Sequence, residues 1–102
     1  MKLDPLIHQS TRLMLMSILS HLQPGDWIDF TMLREQLGLT DGNLGAQLAK
    51  LEAEKYLKIK KDFVGKRPRT QAQVTARGRA AFESHCAALQ QIIDHPPGAK
   101  NG

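Results

Sequence analysis

Hydrophobic residues near the start of the chain recur at the spacing of an amphipathic helix. The segment from Pro5 to Leu22 follows Asp4, which can cap free backbone amides, and stops at the Gln23-Pro24-Gly25-Asp26 group. Ser10 is a second candidate cap, so the pattern fits either one helix or a short turn followed by a longer helix. A broad buried face is predicted from the apolar positions Ile7, Met14, Leu15, Ile18, Leu19 and Leu22.

Two shorter amphipathic segments follow, and a tight turn separates them. The earlier segment carries Met32, Leu33 and Leu37 toward the core and ends at Gly38, a residue suited to a left-handed helix end. Thr40 caps the later segment. The buried face of this later helix is fixed by leucines at i, i+4 and i+7, namely Leu44, Leu48 and Leu51.

From residue 56 onward the hydrophobic period changes to two, which is typical of a strand. Apolar and basic residues alternate over Leu57–Lys60, and after a polar tip at residues 65–70 the alternation resumes over residues 71–75. The pattern predicts a hairpin. The short segment 27–29 is expected to add an edge pair to this hairpin.

A last helix is predicted for residues 76–93, capped by Thr75 and stopped by the Pro96-Pro97-Gly98 group. Residues 1–95 are expected to form one domain, because 102 residues with 41% hydrophobic content suit one small core. Residues 96–102 are expected to form a flexible tail. The predicted fold class is mainly α with a small β-hairpin (α+β).

Basic residues concentrate in one stretch of the chain. Residues 50–79 hold ten basic and three acidic residues, while the whole chain has a formal net charge of +4. The remainder is therefore net negative, and we expect one basic face to meet a polyanion, for which nucleic acid is the usual choice. A solvated basic face without a ligand is the alternative.

Other classes of function find little support in the sequence. The lone Cys86 excludes an internal disulfide framework and suits a reducing cytoplasm, and no secretory signal or apolar run of membrane-spanning length is present. A metal site at His85, Cys86 and His95 is only weakly indicated, because adjacent residues do not easily chelate one ion together. We find no phosphate-binding glycine loop, nucleophile motif or paired carboxylates. We therefore expect a cytoplasmic protein that is no enzyme and has no metal, cofactor or membrane partner.

The chain resembles the winged helix-turn-helix transcriptional regulators in three segments, STRLMLMSIL, LREQLGLTDGNLGAQLAKLE and GKRPRTQAQVTARGRAAFE. It is most similar to small single-domain members of the MarR and ArsR groups. The resemblance implies the order helix, short strand, helix, helix, two-stranded wing and helix. It also implies a recognition helix at about residues 40–55, a wing tip at residues 62–70 and double-stranded DNA as the partner. Gly45 and Ala46 depart from the family, which often has Ser and a larger polar or basic residue there.

The predicted recognition helix carries Asn43, Gln47 and Lys50 away from the leucine face, where they suit base edges and phosphates. Asn and Gln can pair bidentately with adenine, whereas Lys can reach guanine acceptors or a phosphate. Asn43 can instead complete the helix cap begun by Thr40. The small residues Gly42, Gly45 and Ala46 would let the backbone approach DNA, with the Thr40 hydroxyl and the helix-terminal amides near a phosphate. Tight packing against the preceding helix explains Gly45 equally well.

The predicted wing carries Lys66, Arg67, Arg69 and Thr70 around Pro68, a residue that stiffens the loop. Arg67 or Arg69 is expected to enter a narrow minor groove, where the negative potential is enhanced. A solvated basic tip is the alternative. Further phosphate contacts are predicted at Arg12, Lys58 and Lys60.

The last helix has an apolar stripe at spacings of four, three and four, which one small domain does not obviously bury. We expect this stripe to join two copies, so that the recognition helices of a homodimer meet a pseudo-palindromic site. Packing inside the monomer is the competing account. A second possible function is a winged-helix module that binds an acidic protein. The residues predicted for dimerisation are Phe82, Cys86, Leu89 and Ile93.

Overall fold

A computed structural model describes residues 2–98 and contains helices and strands in the predicted order. This arrangement confirms the α+β class. Residues 99–102 of the predicted flexible tail lie outside the described part. The elements are α1 (Ser10–Ser20), β1 (Ile28–Asp29), α2 (Phe30–Leu37), α3 (Asp41–Ala53), β2 (Leu57–Val64), β3 (Arg67–Val74) and α4 (Ala76–Asp94).

The first segment adopts the second of its two predicted forms, a turn followed by a helix. The side chain of Gln9, rather than Ser10, caps α1 by accepting a hydrogen bond from the backbone N–H of Arg12. The helix buries Met16, whereas the predicted core residue Met14 is 45% exposed. Positions two residues apart lie about 200° apart around a helix, so burial of Met16 turns Met14 to the surface.

The sheet has the order β1-β3-β2, so β3 is central where β1 pairs with it. Ile28 lies opposite Ala72, which confirms the predicted edge pair. β2 and β3 pair from Leu57 opposite Val74 to Val64 opposite Arg67. The predicted polar tip at residues 65–70 was therefore too long, since the return strand already begins at Arg67. Proline is tolerated in this strand because β3 is still an edge strand at Pro68.

The core lies between the helices and one face of the sheet, and it includes the predicted leucines of α3. Met32, predicted to point inward, is instead 52% exposed. Leu33 and Leu37 set the inner face of α2, and Met32 lies about 120° from the middle of that face. The fully buried large apolar side chains are Ile7, Leu15, Met16, Leu19, Leu33, Leu44 and Leu51.

The start of α4 is docked closely against the backbone that leads into β2. Thr75 caps α4 by accepting a hydrogen bond from the backbone N–H of Gly78, and its own N–H donates to the Tyr56 carbonyl. A Cβ atom at Gly78 would lie 2.1 Å from the Tyr56 carbonyl oxygen. Only glycine allows this approach without movement of the backbone.

The segment before α1 is anchored to α4 and β2 through Asp4. The Asp4 backbone N–H donates to His85 Nδ1 at 2.9 Å, and the Tyr56 hydroxyl donates to the Asp4 carboxylate at 2.6 Å. Burial, helped by the hydrogen bond to Asp4, raises the pKa of Tyr56 to about 12. Burial, with a smaller contribution from His8, lowers the pKa of His85 below its ordinary value of 6.5. His85 is therefore held neutral, as an acceptor at Nδ1.

The depressed pKa of His85 predicts that the protein loses stability in mild acid. Below pH 6.5 the unfolded chain binds a proton at His85 that the folded chain does not, so the free energy of unfolding should fall as the pH drops toward the lowered pKa. Urea unfolding at several pH values measures this slope. The slope should flatten in His85→Asn, which keeps an acceptor but does not titrate, and should persist in His21→Asn at an exposed site. An unchanged slope in His85→Asn would assign the pH dependence to other groups.

Candidate nucleic-acid interface

The helix α3 presents a polar face opposite its buried leucines. Thr40 caps the helix through its hydroxyl, which accepts a hydrogen bond from the backbone N–H of Asn43 at 3.1 Å. The Asn43 side chain takes no part in this cap and instead accepts a hydrogen bond from Gln47 Nε2 at 3.2 Å. Asn43 and Lys50 are exposed and Gln47 is half-buried. Asn43, Gln47 and Lys50, the side chains predicted to contact bases, therefore lie together on one accessible face of α3.

Arg12 of α1 lies against this polar face. Its Nε donates to the Leu6 carbonyl and its Nη1 donates to Gln47 Oε1, each at 2.6 Å. The sequence pattern predicts Arg12 as a phosphate contact. Its observed partners tie it to the reader side chains, a link between residues 35 positions apart that periodicity does not reveal.

The small residues of α3 leave open space on the helix surface. A Cβ atom added at Gly42 or Gly45 would meet no atom within 4 Å outside its own local helix backbone. Tight packing against the preceding helix is therefore wrong as an account of Gly45. Another molecule could approach the backbone closely at this surface.

Lys66 and Arg67 are both exposed at the tip of the wing formed by β2 and β3. Arg69 is different, because Asp62 lies directly opposite it across the hairpin. The Arg69 guanidinium donates from Nε and Nη2 to the two Asp62 oxygens, at 3.0 and 2.8 Å. These hydrogen bonds hold the pKa of the Asp62 carboxyl below its ordinary value. Arg69 is thus paired, whereas the two cations at the tip, Lys66 and Arg67, are exposed and have no ion pair among the described residues.

The two faces of the wing carry different side chains. Alternation along the strands puts Lys58 and Lys60 on the face away from the core, where Lys60 Nζ lies 4.4 Å from the centre of the Trp27 ring. Lys61 and Thr70 lie opposite each other on the face that continues from the core. Lys61 is not among the residues predicted for the site, although the period of two already set it apart from its neighbours Lys58 and Lys60. Beyond this pair, Phe63 is 69% exposed.

The predicted dimerisation stripe is only partly covered within the monomer. Phe82 packs against the core, and Cys86 and Leu89 are half-buried. Ile93 is 69% exposed near the end of α4. Burial raises the pKa of the Cys86 thiol, which disfavours the reactive thiolate. Within residues 2–98, no group of three or more His, Cys, Asp or Glu side chains could hold a metal ion.

The arrangement of helices, sheet and basic hairpin agrees with a comparison with known families. A family model described as a winged helix DNA-binding domain matches residues 11–93. The chain belongs to this family. Over the described residues, the winged helix domain has no helix long and apolar enough to cross a membrane.

Relatives of this winged helix domain span most of its length. A protein of Methanocaldococcus jannaschii is 36% identical over 75 residues, which cover 74% of this chain and 82% of the relative. The structure of a transcriptional regulator homologue from Pyrococcus horikoshii OT3 has a TM-score of 0.77 and 28% identity, covering 87% of this chain and 85% of the other. The ytfH protein of Salmonella typhimurium has the same fold, with a TM-score of 0.68, 18% identity and coverage of 90% and 79%.

The family match confirms the winged helix-turn-helix prediction made from the sequence. The more detailed assignment to the MarR and ArsR groups stays a prediction. The individual roles predicted for the residues of α3, the wing and α4 also stay predictions. The structure adds the partners of two of these residues, Arg12 for Gln47 and Asp62 for Arg69.

Proposed function

We propose that this winged helix domain is a sequence-specific transcriptional regulator that binds double-stranded DNA as a homodimer. The observation that carries the proposal is the pairing of an open polar face on α3 with exposed cations at the wing tip, Lys66 and Arg67. The homologue from Pyrococcus horikoshii, a transcriptional regulator homologue by description, supports a regulatory role.

In the proposed complex, α3 enters the major groove. Its 13 residues make a rod about 20 Å long, and the groove is wide enough to admit such a helix. Asn43 and Gln47 would then face base edges, and Lys50 would reach a base or a phosphate. The absence of side chains at Gly42 and Gly45 would let the helix backbone lie close to the sugar-phosphate chain. The hydroxyl of the capping residue Thr40 would donate a hydrogen bond to a phosphate of this sugar-phosphate chain.

The wing would lie along the adjacent minor groove and its phosphates. Lys66 and Arg67 extend from the tip without an acidic partner among the described residues, so their charge is available to DNA. Arg69 would contribute less, because Asp62 already neutralises it. Lys61 and Thr70, on the same wing face as the core, would add contacts at the base of the wing. Lys58 and Lys60 would contribute mainly through long-range attraction, since they lie on the other face and further from the tip than Arg69.

Removal of the Asp62 charge should strengthen DNA binding. Asp62 and Arg69 lie on the same wing face as Lys58 and Lys60 but closer to the tip. The change Asp62→Asn frees the Arg69 guanidinium and deletes a negative charge near the tip, so we expect affinity to rise roughly tenfold at low salt. Stability should change little, because ion pairs at the surface contribute weakly. Fluorescence anisotropy with a labelled duplex measures the affinity. The matched change Glu54→Gln breaks another exposed ion pair, with Arg77 of α4, at the end of α3 remote from Thr40, and should have a smaller effect. Equal effects of the two changes would contradict a direct role for Arg69.

The homodimer is proposed from the outer part of α4. Leu89 is half-buried and Ile93 is exposed, and a second copy of the same helix would cover both. Phe82, which packs inside the monomer, would support the start of this surface rather than form its centre. Two copies would present their α3 helices to successive turns of a pseudo-palindromic site.

A charge placed in this surface should separate the copies. Leu89→Glu puts a carboxylate into the proposed dimer interface, and we expect sedimentation equilibrium to give the mass of a monomer. The circular dichroism of the helices should be retained. Glu83→Gln, at an exposed position of the same helix, serves as the control and should leave the dimer intact. If Leu89→Glu still has the mass of a dimer, the dimer interface lies elsewhere.

Binding to genomic fragments over a series of salt concentrations tests the proposed function directly. We expect a few fragments to bind more tightly than the rest, with affinity falling steeply as salt rises because cations on phosphates displace counterions. A flat salt response, or equal affinity for every fragment, would contradict the proposal. Capture of a stable protein complex with no DNA affinity would instead favour the module that binds an acidic partner.

A further inference from the structure

A chain of hydrogen bonds links the turn before α1 to the outer face of α3. Arg12 donates from Nε to the Leu6 carbonyl and from Nη1 to Gln47 Oε1, both at 2.6 Å. Gln47 donates in turn from Nε2 to Asn43 Oδ1 at 3.2 Å. The starting point is itself fixed, because the Leu6 backbone N–H donates to Asp4 Oδ1 at 2.9 Å. This chain of hydrogen bonds through Leu6, Arg12, Gln47 and Asn43 is called the relay below. It begins in a folded turn and ends at an exposed side chain.

The direction of every bond in this relay follows from the chemistry of arginine. A guanidinium has only N–H donors, so the Gln47 atom that meets Arg12 must be the amide oxygen. The Gln47 amide nitrogen then points toward Asn43, where it requires an acceptor. Asn43 meets that requirement with Oδ1. The Asn43 NH₂ group and the second N–H of the Gln47 amide are left without a partner in the described structure.

The relay changes which bases the helix can read. A bidentate contact with adenine needs one donor and one acceptor on the same amide, whereas guanine offers two adjacent acceptors, O6 and N7. In the free protein each amide oxygen already accepts one hydrogen bond and is turned toward its partner, Arg12 for Gln47 and Gln47 for Asn43, so only its second lone pair is left for a base. Each amide also keeps an N–H group that has no partner in the described structure. The arrangement thus disfavours adenine, the base that amide side chains usually recognise.

We propose that Arg12 is a positioning residue that sets the base preference of α3, so that Asn43 and Gln47 select guanine. This inference rests on the proposed DNA binding by α3. It also assigns Arg12 a role other than the phosphate contact predicted from the sequence, because the guanidinium acts through Gln47.

Two substitutions change the relay in different ways. Arg12→Met removes the donor that fixes the Gln47 amide, so both amides become free to turn and adenine should become acceptable. Gln47→Glu keeps an acceptor for Arg12 but removes the donor to Asn43. The Asn43 NH₂ group should then turn toward the new carboxylate and leave Oδ1 facing the groove, which favours the amino group of adenine or cytosine.

Selection of bound duplexes from a randomised library, followed by sequencing, measures these preferences. The wild-type protein should enrich guanine over adenine on the order of tenfold at one or two positions of each half-site. Arg12→Met should reduce that ratio to near one, and Gln47→Glu should invert it. Because each ratio is taken within one variant, a uniform loss of affinity cancels. Arg12→Lys, which also has only donors, should restore much of the guanine preference. Arg34→Met, an arginine of α2 outside the relay, should leave it unchanged.

Nuclear magnetic resonance of the free protein gives a readout that does not depend on DNA. Arg12→Met should shift the side-chain amide resonances of both Gln47 and Asn43, although Arg12 bonds only Gln47 of the two. Unshifted Asn43 resonances would overturn the relay, as would enrichment of adenine by the wild-type protein or an unchanged profile in Arg12→Met. If the wild-type protein enriches no duplex while the resonances shift as expected, the relay exists but the proposed DNA reading by α3, and the base preference with it, is wrong.

Discussion

Gly78→Ala should lower the free energy of unfolding on the order of 3 kcal/mol, since the added methyl group would lie 2.1 Å from the Tyr56 carbonyl oxygen. The neighbouring atoms are backbone, so no side chain can rotate away to make room. Relief requires α4 to move away from the backbone just before β2, which would also lengthen the hydrogen bond from the Thr75 N–H to the Tyr56 carbonyl. Urea unfolding followed by circular dichroism measures the loss.

Gly45→Ala supplies the matched control for this prediction. It is the same chemical change within a helix, but the added methyl group meets no atom within 4 Å outside the local helix backbone. Alanine should therefore stabilise α3 by about 1 kcal/mol. Destabilisation of equal size in both variants would mean that the close contact at Gly78 is not the cause. A more stable Gly45→Ala that binds DNA less well would support close backbone approach at this position.

Reversal of charge at the wing tip, in the double variant Lys66→Glu/Arg67→Glu, should reduce DNA affinity about 100-fold at low salt. Both side chains are exposed and have no acidic partner among the described residues, so their loss exposes no unpaired charge in the protein. The slope of log affinity against log salt is negative, and it should become shallower by about two, because roughly two phosphate contacts disappear. Anisotropy titrations at several salt concentrations measure both quantities.

A single exchange, Lys2→Glu, controls for the change in net charge, and it should be compared with Arg67→Glu. Each substitution changes the formal charge by the same amount, but Lys2 lies beside the groove between the N-terminal segment and α4. Arg67→Glu should weaken binding at least several-fold more than Lys2→Glu. Equal losses would indicate that only the overall charge matters and that the wing makes no particular contact.

Much of the fold is local in origin and was predictable from the sequence for that reason. The leucine spacing in α3, the caps Thr40 and Thr75 and the left-handed Gly38 each act within a few residues, and each is found as expected. The errors at Met14 and Met32 have a different cause. The spacing shows that a helix has an apolar face, but only the packing of neighbouring elements selects which edge of a broad face is buried.

The features of the interface that were missed depend on contacts distant in sequence or on strand register. Arg69 looks like a free cation in the sequence, and only the pairing of the hairpin places Asp62 opposite it. Arg12 reaches Gln47 across 35 positions, and Gly78 of α4 meets the Tyr56 backbone, before β2, across 22 positions. No periodicity reports such approaches. The type of interface was therefore predictable, whereas the partners of its individual side chains required the fold.

The close packing of α4 against the Tyr56 backbone has a consequence for the spacing between the two half-sites on DNA. Tyr56 lies in the three-residue link between α3, which ends at Ala53, and β2, which begins at Leu57, so the start of α4, the end of α3 and the base of the wing share one closely packed junction. In the proposed homodimer, the angle between the two α4 helices would then fix the separation of the reading helices, with no flexible linker to absorb a change. Each base pair inserted between half-sites turns one of them by roughly 35° about the DNA axis. Such a regulator would accept one operator length and reject sites that are longer or shorter by a single base pair.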